Sequence, residues 1–329
     1  MAIFLSEVYQ QPDAIKNLLD KKKDILMKAE NIPNENILFT GMGASYFAAN
    51  YISDILKDYG FNAWSIELSR LLDFGKKDFL KDFDSIILIS QSGESIELVK
   101  FVNEYSEYIE KSFLITNNPN SSILGHFLEK QLIFINAGEE NSMGSTKTFT
   151  NTLVSLLIIV QEWIGKDFKL ENLIKSYEKM LNFDINSLLN LFLNNNFPIF
   201  ISWKWGVSIL NMINLTLTEV SKVPSLVFEG ATFRHGVIEI VAIDPLIVLL
   251  PISNDPTYKK FKNLKYDLEQ LKAKIFTLES LFEDMNTLPK ETQPIPYLVI
   301  FQKIANSLAI YKGLEPGQGM YASKVTKKE

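Results

Sequence analysis

Ser85-Ile86-Ile87-Leu88-Ile89 is an unbroken apolar run that passes directly into Ser90-Gln91-Ser92-Gly93-Glu94-Ser95 and then into a segment with helical spacing. An apolar run this short reads as a strand buried on both faces, and a helix opening one turn later must cross back over the sheet. That unit builds parallel sheets. It recurs along the chain. Ile37-Leu38-Phe39 is followed by a helical pattern over 44–59, residues 61–66 read as another strand, and the helix after Ser95 extends to about 109. Strands at 112–116 and 131–135 complete a five-stranded sheet, closed by a long apolar helix over 146–164. A polar stretch and a helical pattern to about 194 separate this set from a second one. The second set has strands at 198–201, near Leu226-Val227 and at 246–250, with helices over 206–222, 259–274 and 294–311.

The expected fold is α/β, with two doubly wound, flavodoxin-like parallel-sheet domains in tandem and helices on both faces. The expected boundaries are 1–165, 166–312 and a tail, 313–329, that carries Pro316 and ends in charge. With 329 residues and 47% apolar side chains the chain can bury two cores. A net charge of -6 without a dense Lys/Arg block argues against nucleic acid as a partner. Cysteine is absent and the only histidines are His126 and His235, which removes thiolate chemistry and makes a histidine-rich metal site improbable. The N-terminus turns polar before a signal region forms, and the apolar run 153–159 is too short to span a bilayer. A cytoplasmic location with no membrane partner is expected.

In parallel sheets, ligands bind beyond the carboxyl ends of strands, where helix N-termini direct backbone donors. Gly41-Met42-Gly43-Ala44-Ser45 and Ser90-Gln91-Ser92-Gly93-Glu94-Ser95 both occupy such ends. Three hydroxyls, an amide and a glycine within six residues suit a phosphate. They equally suit a helix cap, with Ser95 as the N-cap. Asn117-Asn118-Pro119-Asn120-Ser121-Ser122 reads first as a turn. Ala137-Gly138-Glu139-Glu140 and Gly144-Ser145-Thr146-Lys147 follow the fifth strand, with Ser145 or Thr146 able to cap the next helix. In the second half, Glu219 and His235 form a carboxylate and imidazole pair suited to proton transfer. Lys324 is a candidate amine if the tail covers a site. Taken singly, each of the three is more often structural.

These motifs stand in the order seen in tandem sugar-isomerase (SIS) domain proteins. Gly41-Met42-Gly43-Ala44-Ser45-Tyr46, the 90–95 run, Ala137-Gly138-Glu139-Glu140, Ser145-Thr146-Lys147, Glu219, Arg234-His235-Gly236 and Lys324-Val325-Thr326 together resemble the isomerase half of glucosamine-6-phosphate synthase and the SIS-type deaminases. The resemblance implies that Ser45, Ser90, Gln91, Ser92 and Ser95 hold a sugar phosphate, beside Gly43, Ala44 and Ser145. It implies Glu219 as the base between C1 and C2, His235 as the ring-opening group and Lys324 as an amine for a keto sugar. It also implies no metal or organic cofactor, and a homodimer in which His235 reaches the neighbouring subunit's site, with that site where the two domains meet. Glutamine-dependent synthesis needs a cysteine glutaminase, so a complete synthase is not expected, and the resemblance implies deamination of glucosamine 6-phosphate. A fructosamine-6-phosphate deglycase, a glutaminase-less isomerase subunit and a sugar-phosphate sensor are the alternatives. The chain departs from the family pattern at Ala44, Ser202-Trp203-Lys204, Thr216, Thr218 and Val237.

Overall fold

The computed structural model describes residues 2–75, 77–195, 197–281, 287–321, 323, 324 and 326. Val325 of the C-terminal motif lies outside them. The chain forms two compact units that interleave in sequence: Asp13–Asn141 with Ser145–Phe168 and Gly319–Glu329, and Met1–Pro12 with Ser142–Gly144 and Lys169–Gln318.

The first of these units holds a five-stranded sheet of β1 (Asn36–Gly41), β2 (Asn62–Glu67), β3 (Ser85–Ile89), β4 (Ser112–Thr116) and β5 (Leu132–Phe134). Their order is β2-β1-β3-β4-β5 with every pairing parallel, the flavodoxin-like arrangement the sequence pattern predicts. β3 and β4 are buried along their whole length, which is why they read as continuous apolar runs rather than alternating ones. Leu38, Ile86, Leu88, Leu98, Phe101 and Leu114 share one core. The helix Lys147–Ile164 is buried from Lys147 to Gln161, with mostly polar first turns and then an apolar run from Leu153 to Val160 broken only by Ser155. The helix expected to reach residue 109 stops at Glu104, and a 3-10 segment Ser106–Lys111 follows. The Gln131 carboxamide binds the carbonyls of Ile109 and Ser112 at 2.7 Å each and that of Glu110 at 3.1 Å, so the chain there is set by tertiary bonds. Gln131 ends the 3-10 segment Glu129–Gln131, and the strand expected over 131–135 is confined to Leu132–Phe134.

The other unit holds β6 (Pro198–Ser202), β7 (Leu226–Glu229), β8 (Leu246–Leu249) and β9 (Lys274–Thr277) in the parallel order β7-β6-β8-β9. β9 was not foreseen. The expected helix 259–274 ends at Gln270, Lys272 turns left-handed at φ 55°, and the partly exposed edge strand begins two residues later. Ile199, Ile201, Trp203, Phe233, Ile247 and Leu249 form its core. No helix among the described residues is long and apolar enough to cross a membrane.

After β8, the carboxylate of Asp255 is fully buried and accepts from Lys204 Nζ at 2.9 Å, Lys290 Nζ at 3.3 Å, and the Thr257 N–H and hydroxyl at 2.9 and 2.7 Å. Burial alone pushes its pKa up, but the bonds from Lys204 and Thr257 outweigh burial and hold it down at about 2. An unfolded aspartate titrates near pH 4, so this stabilisation is complete above about pH 4 and is lost as pH falls toward about 2. Urea unfolding across that window should show a loss of about 2 kcal/mol that Asp255→Asn abolishes.

Candidate functional site

The carboxyl ends of β1 and β3 lie side by side, with Gly41 opposite Ile89 in the parallel register. This is the topological switch point of the sheet, where an open α/β fold binds its ligand. On the β3 side, Ser90 Oγ accepts the Gly93 N–H at 3.2 Å and Ser92 Oγ accepts the Glu94 N–H at 3.1 Å. A serine hydroxyl used as an acceptor keeps its own proton to donate. Gly93 has φ 64°, and a Cβ there would lie 2.4 Å from Ser121 Oγ, so only glycine allows this turn. Ser95 occupies the N-cap position of the helix Ile96–Glu104, yet its side chain makes no capping bond. The capping reading of Ser95 is therefore not realised by its side chain.

On the β1 side, a Cβ at Gly41 would meet the Ile89 carbonyl oxygen at 2.7 Å and Ser45 Cβ at 2.8 Å, which leaves room for glycine alone. Gly43 turns at φ 51° and caps the helix Ala44–Asp58, placing Ala44 and Ser45 in its first turn.

A cavity of about 850 Å³ opens beyond β3, β4 and β5 and is lined by Gln91, Ser92, Asn117, Asn118, Asn136 and Lys324, among others. It thus brings Gln91, Ser92 and Lys324 together, whereas Gly43, Ala44, Ser45, Ser90, Ser95 and Ser145 do not line it. The asparagines that read as a plain turn tie its walls. Asn117 donates to the Gly138 carbonyl at 2.8 Å and accepts from the Ala137 N–H at 2.9 Å, while Asn118 donates to the Ser92 carbonyl at 2.9 Å. Glu94 joins the same framework, accepting from Ser122 N and Oγ at 2.6 and 2.9 Å.

The carboxylate of Glu140 is fully buried. Its Oε1 accepts the Thr146 N–H at 2.9 Å, the Thr146 hydroxyl at 2.8 Å and the Thr148 N–H at 3.2 Å; its Oε2 accepts the Thr148 hydroxyl at 2.5 Å. Lys324 Nζ lies 3.1 Å from Oε2 and 2.6 Å from the Glu140 carbonyl oxygen. Thr146 stands at the N-cap but supplies no capping bond; Glu140 serves the helix end instead, where a carboxylate also meets the positive end of the helix dipole. The tail is further tied by the Ile96 N–H, which donates to the Thr326 carbonyl at 3.2 Å.

Glu219 and His235 lie on the four-stranded unit. The helix Gly206–Thr216 passes into a π-helical turn, Leu217–Ser221, that carries Glu219. Thr216, Thr218 and Ser221 each bond the carbonyl four residues back, at 2.9, 2.9 and 2.7 Å, competing with the backbone ladder where its register changes. Such turns are frequent at functional sites, and Thr216 and Thr218 lie beside and within this one. His235 ends the helix Gly230–Arg234 and is exposed. Only its backbone N–H has a bonded partner among the described residues, at Ala231 O and Thr232 O. Val237 opens a 3-10 segment and packs on the core. In Ser202-Trp203-Lys204, Trp203 is core and its indole covers Gly230, where a Cβ would lie 2.1 Å from the ring. Among the described residues, no group of three or more His, Asp or Glu is arranged to hold a metal ion.

Residues 32–161 match the family model described as the SIS domain. The glutamine–fructose-6-phosphate aminotransferase of Sulfolobus acidocaldarius is 25% identical over 95% of this chain and 54% of its own length. The chain thus spans about half the length of that curated relative. Among solved structures, the C-terminal domain of glucosamine-fructose-6-phosphate aminotransferase from Francisella tularensis superposes with a TM-score of 0.77 at 21% identity, covering 97% of this chain and 98% of that one. Glucosamine-6-phosphate deaminase from Thermotoga maritima superposes with a TM-score of 0.74 at 18% identity, covering 99% of each chain. These likenesses establish a shared fold.

Proposed function

We propose that this chain, whose residues 32–161 match the SIS domain model, is a sugar-phosphate isomerase whose substrate is an amino-sugar 6-phosphate. The observation that carries the reading is the 90–95 turn. The Ser90 and Ser92 hydroxyls are oriented by backbone N–H groups, the N-cap Ser95 makes no side-chain capping bond, and Gln91 and Ser92 line a cavity. The phosphate of glucosamine 6-phosphate would rest on Ser90, Ser92 and Ser95, with Gln91, Ser45 and Ser145 toward the sugar.

His235 would open the ring. Glu219 would remove the C2 proton of the open-chain amino aldehyde, giving an enolamine, and return a proton to C1. The product is the imine of fructose 6-phosphate. Water then adds to its C2 and ammonia leaves, yielding fructose 6-phosphate. Lys324, anchored by Glu140, would hold the keto group. An exposed imidazole with no bonded partner among the described residues of its own chain suits donation to a second subunit's site, the basis for proposing a homodimer. The relatives being glutamine–fructose-6-phosphate aminotransferases favours a second reading, in which the same proton transfer runs in the synthetic direction with ammonia from a glutaminase.

The test is incubation with glucosamine 6-phosphate, fructoselysine 6-phosphate, and fructose 6-phosphate plus ammonia, following ammonia and hexose phosphates. Ammonia release from glucosamine 6-phosphate is expected; silence on every substrate with sugar-phosphate binding retained overturns the enzymatic reading. In calorimetry, replacing Ser90 and Ser92 together by alanine should weaken sugar-phosphate binding by about 1–3 kcal/mol, the worth of charge-assisted hydrogen bonds.

A further inference from the structure

Residues Ser142–Gly144 belong to the four-stranded unit although the chain on either side of them does not. Three ties hold this short strap. Glu7, buried on the N-terminal helix Ile3–Tyr9, accepts the Ser142 N–H at 3.2 Å on Oε2 and takes the Ser142 hydroxyl in a short bond to the same oxygen. That Oγ also lies 2.9 Å from the Gly144 carbonyl oxygen, so its one proton is shared between the two acceptors. The Met143 N–H donates to the Gly317 carbonyl at 2.7 Å. Gly317 itself turns at φ 81°, and a Cβ there would strike Phe4 Cβ at 2.8 Å and Ser142 Cβ at 2.9 Å.

The third tie is steric. A Cβ on Gly144 would sit 2.8 Å from Val220 Cγ2 and 3.0 Å from Phe4 Cε2. Gly144 is not among the positive-φ glycines, so glycine is required here for room rather than for backbone freedom. Val220 is the residue after Glu219 and lies in the same π turn. A continuous series therefore runs from Glu7 through Ser142 and Gly144 to Val220 and the backbone that carries Glu219.

We propose that Glu7 and Gly144 are positioning residues for Glu219, the strap acting as the stop against which the π turn is seated. The inference rests on the reading of Glu219 as the proton-transfer base. A buried carboxylate costs desolvation that an apolar contact at the same place would not. What it adds is direction, fixing the strap in one register, and a catalytic group must be held to a fraction of an ångström. Neither role touches the phosphate turn, so the effect should fall on turnover and spare binding.

The experiment follows hydrogen exchange between solvent and the sugar carbon at saturating fructose 6-phosphate in D2O, with sugar-phosphate Kd and Tm measured alongside. Gly144→Ala should lower the exchange rate about 100-fold with Kd unchanged, the scale expected when a catalytic group is displaced by about 1 Å. Adding Val220→Ala, which removes the methyl that the new Cβ strikes, should restore most of the rate. Ser142→Ala adds no atoms and cuts the bridge between Glu7 and Gly144; it should lower kcat about 10-fold at constant KM, and carries the test if Gly144→Ala fails to fold. An active wild type with Gly144→Ala or Ser142→Ala at full rate overturns the inference alone. A loss that Val220→Ala does not rescue and that tracks Kd also overturns it. A wild type that binds the sugar phosphate and exchanges no hydrogen overturns the base assignment and this inference together.

Discussion

Glu219→Gln is expected to reduce hydrogen exchange between C1 and C2 of the bound sugar by about 10²–10⁴-fold, the usual contribution of a positioned general base. The amide matches the carboxylate in size but cannot take a proton. The residue is half-buried in a π turn whose geometry is held by backbone and by hydroxyls on Thr216, Thr218 and Ser221, so the substitution leaves the local fold in place. Sugar-phosphate affinity should stay nearly constant, because the proposed phosphate donors lie on the β3 turn. Deuterium incorporation followed by NMR reads the rate, and calorimetry reads the affinity. Exchange at the wild-type rate would assign the base to another residue.

The largest effect on stability is expected from Glu140→Ala. Five donors converge on this one buried carboxylate: two backbone N–H groups, two threonine hydroxyls and the Lys324 ammonium. Removing it strands them together, including two at the start of a helix buried for most of its length. Deleting one side of a buried charged network costs about 3–5 kcal/mol. Urea unfolding should register that loss, and sugar turnover should fall with it, since Lys324 loses its anchor at the cavity edge. Glu140→Gln retains one acceptor oxygen and should lose less. A change below about 1 kcal/mol for the alanine variant would contradict the assignment of Glu140 as the structural centre of this corner.

The five-stranded sheet was legible because β1, β3, β4 and β5 each carry a short apolar run ending in a polar or glycine-bearing turn, a pattern that depends only on neighbours in sequence. β9 was not, because an edge strand of four residues with only Ile275 and Phe276 apolar has no long apolar run and follows its helix after three residues. The π turn was hidden for a related reason: its residues have ordinary helical spacing, and the change of register comes from side-chain bonds to the backbone. Within the site, the donor-rich turn and the lysine of the tail could be found by residue type. Which of Glu139 and Glu140 is buried could not, since that is decided by how the chain leaves Gly138 at φ 71°. Thr146 offered a local cap, and a carboxylate six residues earlier displaced it. Glu7 gives no sign in sequence, being one acid on a short helix whose partners lie about 135 residues away.

A crystal structure with glucosamine 6-phosphate bound tests the central claim most directly. The phosphate oxygens should lie within hydrogen-bond distance of the Ser90, Ser92 and Ser95 hydroxyls, at the helix end that begins with Ile96. Phosphate bound elsewhere, for instance in the small cavity formed by Trp203, Arg234 and Lys260, with the 90–95 turn empty, would contradict the account.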